Sequence, residues 1–217
     1  VWNATYWTGY DAIALEVLDM GIGTGSRLSI TNRIIECKEG TREVTCVEVG
    51  KMKRGQQRQR IVFFDVDGVL TDGTVHISSE VSEAKAFSIL DGHGLRQLAR
   101  EGVAVAWISG RASGATTSRA RELGIPHVIQ GPVDKLASLR ELAGRLGLGA
   151  KECAYMGDDE IDAGAMRWAG IAVAPPGAMP VALAAAHLVT RRPGGHGAVR
   201  EVCELLLAAR AKDGGGL

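Results

Sequence analysis

The sequence contains no apolar stretch near the roughly 20 residues that a membrane-crossing helix needs. Its first residues also lack the basic-then-apolar order of a secretion signal, which argues against export. Neither sign of charge is in excess: 25 Lys and Arg balance 25 Asp and Glu, so no global field recommends a nucleic acid or an anionic bilayer as partner. CxxC pairs are missing too. The four cysteines, Cys37, Cys46, Cys153 and Cys203, lie far apart, which suits a reducing compartment better than a disulfide framework or a zinc site, so the cytoplasm is the expected location. What the chain does have is 46% hydrophobic residues over 217 positions, enough for a sizeable core in one domain with an extension or in two small domains.

From residue 61 onward, short apolar runs alternate with helical patterns, the signature of an α/β fold built on a Rossmann-like parallel sheet with helices on both faces. Strands are expected at Ile61 to Phe64, Val103 to Ser109, His127 to Ile129, Cys153 to Met156, Ile171 to Val173 and His187 to Thr190. Helices are expected at Gly94 to Glu101, Ser113 to Leu123, Asp134 to Leu146, Asp159 to Trp168 and Ala198 to Arg210. Between the first strand and the first helix, TVHIS and AKAFS flank a polar turn, which predicts a small β-hairpin flap rather than a cap domain. The expected organisation is an extension over residues 1–60, a catalytic domain over 61–210 and a Gly-rich tail over 211–217.

The chemistry concentrates at strand ends. Residues 61–73, IVFFDVDGVLTDG, place Asp65 and Asp67 at the end of an apolar run of the kind buried on both faces, and ligands of such sheets bind beyond the carboxyl ends of the strands. One carboxylate there can attack phosphorus and help to hold Mg²⁺, a cation that prefers oxygen ligands, while the other handles the proton. A bare DxDG is also a plain turn, but an EF-hand is excluded because the twelfth position from Asp65 is His76 instead of glutamate. Ser109-Gly110-Arg111 follows the second strand, where a hydroxyl and backbone N–H groups can hold phosphate oxygens. Lys135 opens a helix, where the macrodipole disfavours a cation unless an anion is bound nearby. Residues 157–162, GDDEID, crowd carboxylates whose repulsion calls for a cation. Asp158 is best placed for the metal. Asp159 and Asp162 either support it or cap the following helix.

This order of loops, DxDG, SGR, Lys, GDDxxD, is similar to the layout of the haloacid dehalogenase superfamily. More narrowly, residues 61–210 resemble the 3-deoxy-D-manno-octulosonate 8-phosphate phosphatase family of lipopolysaccharide precursor synthesis, through DVDGVLTDG (65–73), KAFSILDGHG (85–94), ISGR (108–111), DK (134–135), GDDEID (157–162) and GGHGAVREVCELLL (194–207). The resemblance implies that Asp65 is the nucleophile and Asp67 the general acid and base, with Mg²⁺ held by Asp65, the Asp67 carbonyl and Asp158. It also implies phosphate contacts from Ser109 and Lys135, and a sugar-acid phosphate substrate facing Thr71, Gly110, Arg111 and the loop of Asp91, Gly92, His93 and Gly94. Members of the family are capless homotetramers whose neighbouring subunits help to close each site. Gly164, His187 and PPGA at 175–178 depart from the family pattern, which bears on packing and exact substrate rather than on the reacting groups.

Other readings remain open at this level. A phosphatase for a nonulosonate 9-phosphate fits the same motifs, and a catalytically silent oligomerisation module is a further alternative that the intact Asp65, Asp67, Lys135 and Asp158 argue against. Residues 33–49 alternate polar and apolar positions as a hairpin does, with no obvious partner sheet. Residues 51–60, KMKRGQQRQR, carry five positive charges and read as a solvated linker sooner than an RNA contact. Residues 16–25, EVLDMGIGTG, look like a nucleotide-binding loop, but too little chain follows to build its sheet.

Overall fold

The computed structural model describes residues 27–30, 33–37, 44–48, 59–79 and 83–213. The glycine-rich segment at 16–25 and residues 51–58 of the basic run lie outside them. The chain divides into two units, Val1–Val49 and Gly50–Leu217. In the first, β1 (Arg27–Ile30), β2 (Arg33–Cys37) and β3 (Val44–Glu48) form an antiparallel sheet in the order β1-β2-β3. The hairpin expected over 33–49 is therefore present, with Arg33 opposite Glu48. Its partner strand, which the sequence did not reveal, is the segment just before it.

The second unit is built on a six-stranded parallel sheet in the order β11-β10-β9-β4-β7-β8. β4 (Ile61–Phe64) is central, and each of its residues is at most 1% exposed, as a strand covered on both faces requires. Burying each such side chain contributes about 1.5–3 kcal/mol, so β4 anchors whatever follows it. β7 (Ala104–Ser109) and β8 (His127–Gln130) lie to one side of it, and β9 (Cys153–Met156), β10 (Ile171–Ala174) and β11 (Leu188–Val189) to the other. The chain thus reverses its winding direction at β4. Such a switch point leaves a crevice beyond the strand ends, where Asp65 and Asp67 emerge.

The helices are α1 (Ile89–Arg100), α2 (Gly114–Leu123), α3 (Lys135–Arg145), α4 (Ala163–Trp168), α5 (Pro180–Ala185) and α6 (Ala198–Asp213). Three differ from expectation: α5 matches no expected helix, and α1 and α4 begin elsewhere than expected. α1 begins five residues earlier than Gly94, because Ser88 caps it by accepting from the Asp91 N–H at 3.4 Å and because Gly92 and Gly94 are where neighbouring elements press closest. A Cβ on Gly94 would stand 3.1 Å from the Cys203 Cβ of α6. The helix expected from Asp159 splits into a single tight turn at Glu160–Asp162 and then α4. Between β4 and α1 lies the flap, β5 (His76–Ile77) paired antiparallel with β6 (Glu83–Ala84).

Two of the departures from the family pattern have defined places. The His187 ring accepts the Ala172 N–H at 2.9 Å through Nδ1, tying β11 to β10. Gly164 has only the Leu136 side chain within 4 Å of where a Cβ would lie, so a Cβ there makes ordinary contact.

Candidate active site

Asp65 continues the β4 ladder, its N–H donating to the Met156 carbonyl at 2.9 Å. Its carboxylate therefore leaves the end of a buried strand with little backbone freedom. The chain then winds tightly through Val66–Leu70, with Asp67 and Gly68 outside helical geometry. Gly68 has φ +90°, and a Cβ there would run into the Asp158 carboxylate, so only glycine serves. Thr71 ties the turn together: its hydroxyl donates to the Val66 carbonyl at 3.3 Å and accepts from the N–H groups of Gly68 and Gly73. Behind this loop, Gly194 approaches the Gly68 carbonyl so closely that a Cβ would overlap it.

A dense charge network surrounds Asp65. Lys135, first residue of α3, puts Nζ 2.9 Å from Asp65 Oδ1 and 2.7 Å from Asp162 Oδ1. Asp162 is saturated with donors: Oδ1 also accepts the Tyr155 hydroxyl at 2.6 Å, and Oδ2 accepts the N–H groups of Asp158 and Asp159 at 3.2 and 3.1 Å. Asp159 is exposed and caps the turn that follows, accepting the Glu160 N–H at 2.7 Å. Asp158 Oδ1, in contrast, is buried and has no hydrogen-bond donor. Oxygens of Asp65, Asp158 and Asp162 lie within 4.8 Å of one another.

Three carboxylates thus crowd about one buried ammonium, which contacts Asp65 and Asp162. Burial, followed by the Asp162 anion, pushes the Asp65 carboxyl well above its usual range. The same causes push Asp158 up to about 6. Burial alone would lower the Lys135 ammonium, but the anions of Asp65 and Asp162 outweigh it and hold the group charged. Excess buried negative charge together with an orphaned carboxylate oxygen is what a hard divalent cation neutralises, and the all-oxygen donor set fits Mg²⁺. With Asp162 already satisfied, Asp65 and Asp158 are the side chains left to hold it.

On the opposite side of Asp65 stand the SGR turn and the flap. Ser109 is buried, and its hydroxyl donates to the Arg111 carbonyl at 2.9 Å and accepts the Arg111 N–H at 3.2 Å. Gly110 faces the Ile161 side chain. Arg111 is paired through its guanidinium with Glu83 at 2.6 Å, and Ser113 Oγ donates to the same carboxylate. The Ser113 hydroxyl first, and Arg111 after it, hold Glu83 below the usual carboxylate range. Lys85 reaches Asp67, with Nζ 2.7 and 3.0 Å from its two oxygens.

The structure does not form residues 91–94 into a loop. They are the first turns of α1, and Asp91 is buried, accepting the N–H groups of Gly197 at 3.2 Å and Arg200 at 2.7 Å at the start of α6. A Cβ on Gly92 would meet the Arg119 guanidinium. His93 lines a separate groove of about 790 Å³ together with Leu90, Arg191, Arg192 and Arg200. The sequence reading passed over Tyr155, Lys85 and Glu83. The last two sit two apart in extended chain, Glu83 in β6 and Lys85 just after it, a spacing that puts both on one face.

A parallel sheet carrying a paired-aspartate loop after its central strand, with a lysine and an acidic loop beside it, defines the haloacid dehalogenase-like hydrolases, whose family description matches residues 116–201. The chain is 44% identical over 153 residues to 3-deoxy-D-manno-octulosonate 8-phosphate phosphatase from Yersinia pestis, covering 70% of this chain and 82% of that protein. Among solved structures it is similar to that phosphatase from Moraxella catarrhalis, in complex with magnesium ion, phosphate ion and KDO, with a TM-score of 0.71 and 43% identity over 72% of this chain and 90% of the other. The cobalt-bound enzyme from Haemophilus influenzae is similar at 34% identity and a TM-score of 0.70, covering 72% of this chain and 92% of that one. The chain belongs to the 3-deoxy-D-manno-octulosonate 8-phosphate phosphatase family.

Proposed function

We propose that the protein is the Mg²⁺-dependent phosphatase that hydrolyses 3-deoxy-D-manno-octulosonate 8-phosphate to the free sugar acid and phosphate in lipopolysaccharide precursor synthesis, acting through an aspartate nucleophile. The observation that carries this reading is the buried contact of Asp65 with Lys135 beside Asp158, held by a chain 44% identical to such an enzyme.

In this reading Asp65 attacks phosphorus as the leaving sugar oxygen takes a proton from Asp67, giving an aspartyl-phosphate and the free sugar acid. Water then attacks the phosphorus, Asp67 takes its proton, and Asp65 is released with inorganic phosphate. Asp65, Asp158 and the Asp67 carbonyl would hold Mg²⁺, which neutralises charge on the phosphoryl oxygens. Lys135 offers the phosphate a second positive charge, while Asp162 and Tyr155 fix that lysine in place. Ser109 and the adjacent N–H groups bind phosphate oxygens, and Thr71 and Gly110 border the substrate. The Arg111 guanidinium has enough donors to pair with a sugar-acid carboxylate while it holds Glu83.

The division of the chain into a phosphatase domain over 61–210, an extension over 1–60 and a tail over 211–217 belongs to this proposal, as do a cytoplasmic location and a homotetramer. No helix among the described residues is long and apolar enough to cross a membrane. An assembly is supported by exposed apolar side chains near the site face, including Ile77 at 72% and Ile89 at 81%. In the tetrameric reading, Asp91 to Gly94 would serve a neighbouring subunit's site through His93.

The test is phosphate release from 3-deoxy-D-manno-octulosonate 8-phosphate, nonulosonate 9-phosphates, arabinose 5-phosphate and p-nitrophenyl phosphate, with Mg²⁺ and with EDTA. The eight-carbon sugar acid should be hydrolysed best, and EDTA should silence every reaction. Equal kcat/KM across the panel would reduce the protein to a general phosphatase, and preference for a nine-carbon acid would reassign the substrate.

A further inference from the structure

The segment from the flap into α1 alternates in exposure: Glu83, Lys85 and Phe87 turn inward while Ala84 and Ala86 face solvent. Each inward residue meets a different part of the site. Glu83 grips Arg111 and Ser113 on the loop after β7. Phe87 stacks on Trp107 of β7, with ring centroids 6.2 Å apart and planes within 9°. Between them, Lys85 extends to Asp67 on the loop after β4, with a weaker contact to Thr116 Oγ1 at 3.4 Å.

We propose that Lys85 is a positioning residue for the reaction, holding the Asp67 carboxylate in the one orientation that serves both proton transfers; this rests on the reading of Asp67 as general acid and base. Asp67 needs such a device. It has non-helical backbone angles, φ −81° and ψ 118°, on a turn whose side chain is 27% exposed. Lys85 supplies its only ion pair among the described residues, reaching both oxygens and so opposing rotation of the carboxylate. The lysine is itself constrained. Its side chain is completely buried, and an ammonium in that position cannot withdraw from its anion without a large desolvation cost. Glu83 and Phe87 pin the backbone on either side, so the ammonium is delivered by an extended segment anchored at both ends. The flap is therefore part of the catalytic apparatus of its own subunit, because the chain leaving its second strand aims a reacting group.

A double-mutant cycle on the full chain with Mg²⁺ tests this. Lys85→Met, Lys85→Gln, Asp67→Asn and each combined pair are compared by steady-state and single-turnover rates with 3-deoxy-D-manno-octulosonate 8-phosphate. Lys85→Met removes a buried charge and leaves a partly solvated aspartate; Lys85→Gln gives a second reading should the Met variant not fold. Each single lysine variant should lower kcat by about tenfold or more with KM changed less than about threefold, and neither should slow the Asp67→Asn enzyme further. Wild-type kcat in either folded lysine variant would overturn the proposal, as would an equal loss of rate with and without the Asp67 carboxylate, which is what a merely structural lysine would give. Wild-type kcat in Asp67→Asn would instead overturn the acid–base reading itself, so the two failures are distinguishable.

Discussion

The two sides of the catalytic loop are built on opposite principles. Towards β9 and α3, Asp65 meets Lys135, Asp162 and Tyr155 in a network where the lysine and Asp162 side chains are at most 1% exposed. Towards the flap, the outer pair, Arg111 and Glu83, has side chains 45% and 24% exposed, and of the charged groups there only Lys85, against Asp67, is buried. A buried network has a fixed geometry and a large penalty for losing a member, which suits bond making at phosphorus. An exposed pair exchanges partners at little cost, which suits recognition of a substrate that must come and go. Reaction and selectivity should therefore separate by mutation.

The largest effect is expected from Asp65→Asn, which keeps the shape of the side chain but cannot attack: kcat should fall by about four orders of magnitude or more, read by phosphate release from purified protein. Next is Lys135→Met, which leaves Asp65 and Asp162 buried without their ammonium. Besides losing turnover, it should cost about 3–5 kcal/mol in denaturant unfolding of the metal-free protein, and Mg²⁺ should recover part of that loss. A stability unchanged by Lys135→Met would mean the network is not held by charge.

The same network predicts an unusual pH response. Asp158 has a carboxyl raised from 3.8 to about 6, so between those values the folded chain binds more protons than the unfolded one. Stability of the metal-free protein should then fall as pH rises through that window, with Asp65 acting in the same sense, and saturating Mg²⁺ at neutral pH should reverse the loss. Thermal unfolding from pH 4 to 7.5, with EDTA and with Mg²⁺, checks this; a metal-free protein that gains stability over that range would contradict it.

Arg111→Ala should give the smallest change in stability, within about 0.5 kcal/mol as for other exposed positions. Its effect should lie in selectivity: the preference for the eight-carbon sugar acid over arabinose 5-phosphate, about ten to several hundredfold in kcat/KM, should shrink, while much of the p-nitrophenyl phosphate activity survives.

How much of this was legible in the sequence follows the same division. The run Ile61 to Phe64 reads as a strand covered on both faces, and the two aspartates after it point to a site once the later SGR, Lys135 and GDDEID loops are read with them, since a bare DxDG is also a plain turn. Likewise GDDEID signals an acidic site, but not that Asp162 spends its oxygens on Lys135, Tyr155 and two N–H groups while Asp158 keeps one free. Long-range partnerships were illegible. Asp91 reads as a loop residue because ILDGHG has two glycines, yet it caps a helix 106 residues further on. The two-residue strand β6 is too short for periodicity to register, so no role for Glu83 or Lys85 was legible, although Lys85 opens the KAFSILDGHG motif.

The central claim is that phosphate passes through a covalent bond to Asp65. Rapid mixing of the Mg²⁺-loaded enzyme with substrate labelled in its phosphoryl group, acid quenching within the first turnover, and borohydride reduction followed by peptide mapping would test it directly. The account predicts transient label on the protein and reduction of a single aspartate, Asp65, to homoserine. Turnover with no labelled protein at any time, or label at another residue, would contradict it.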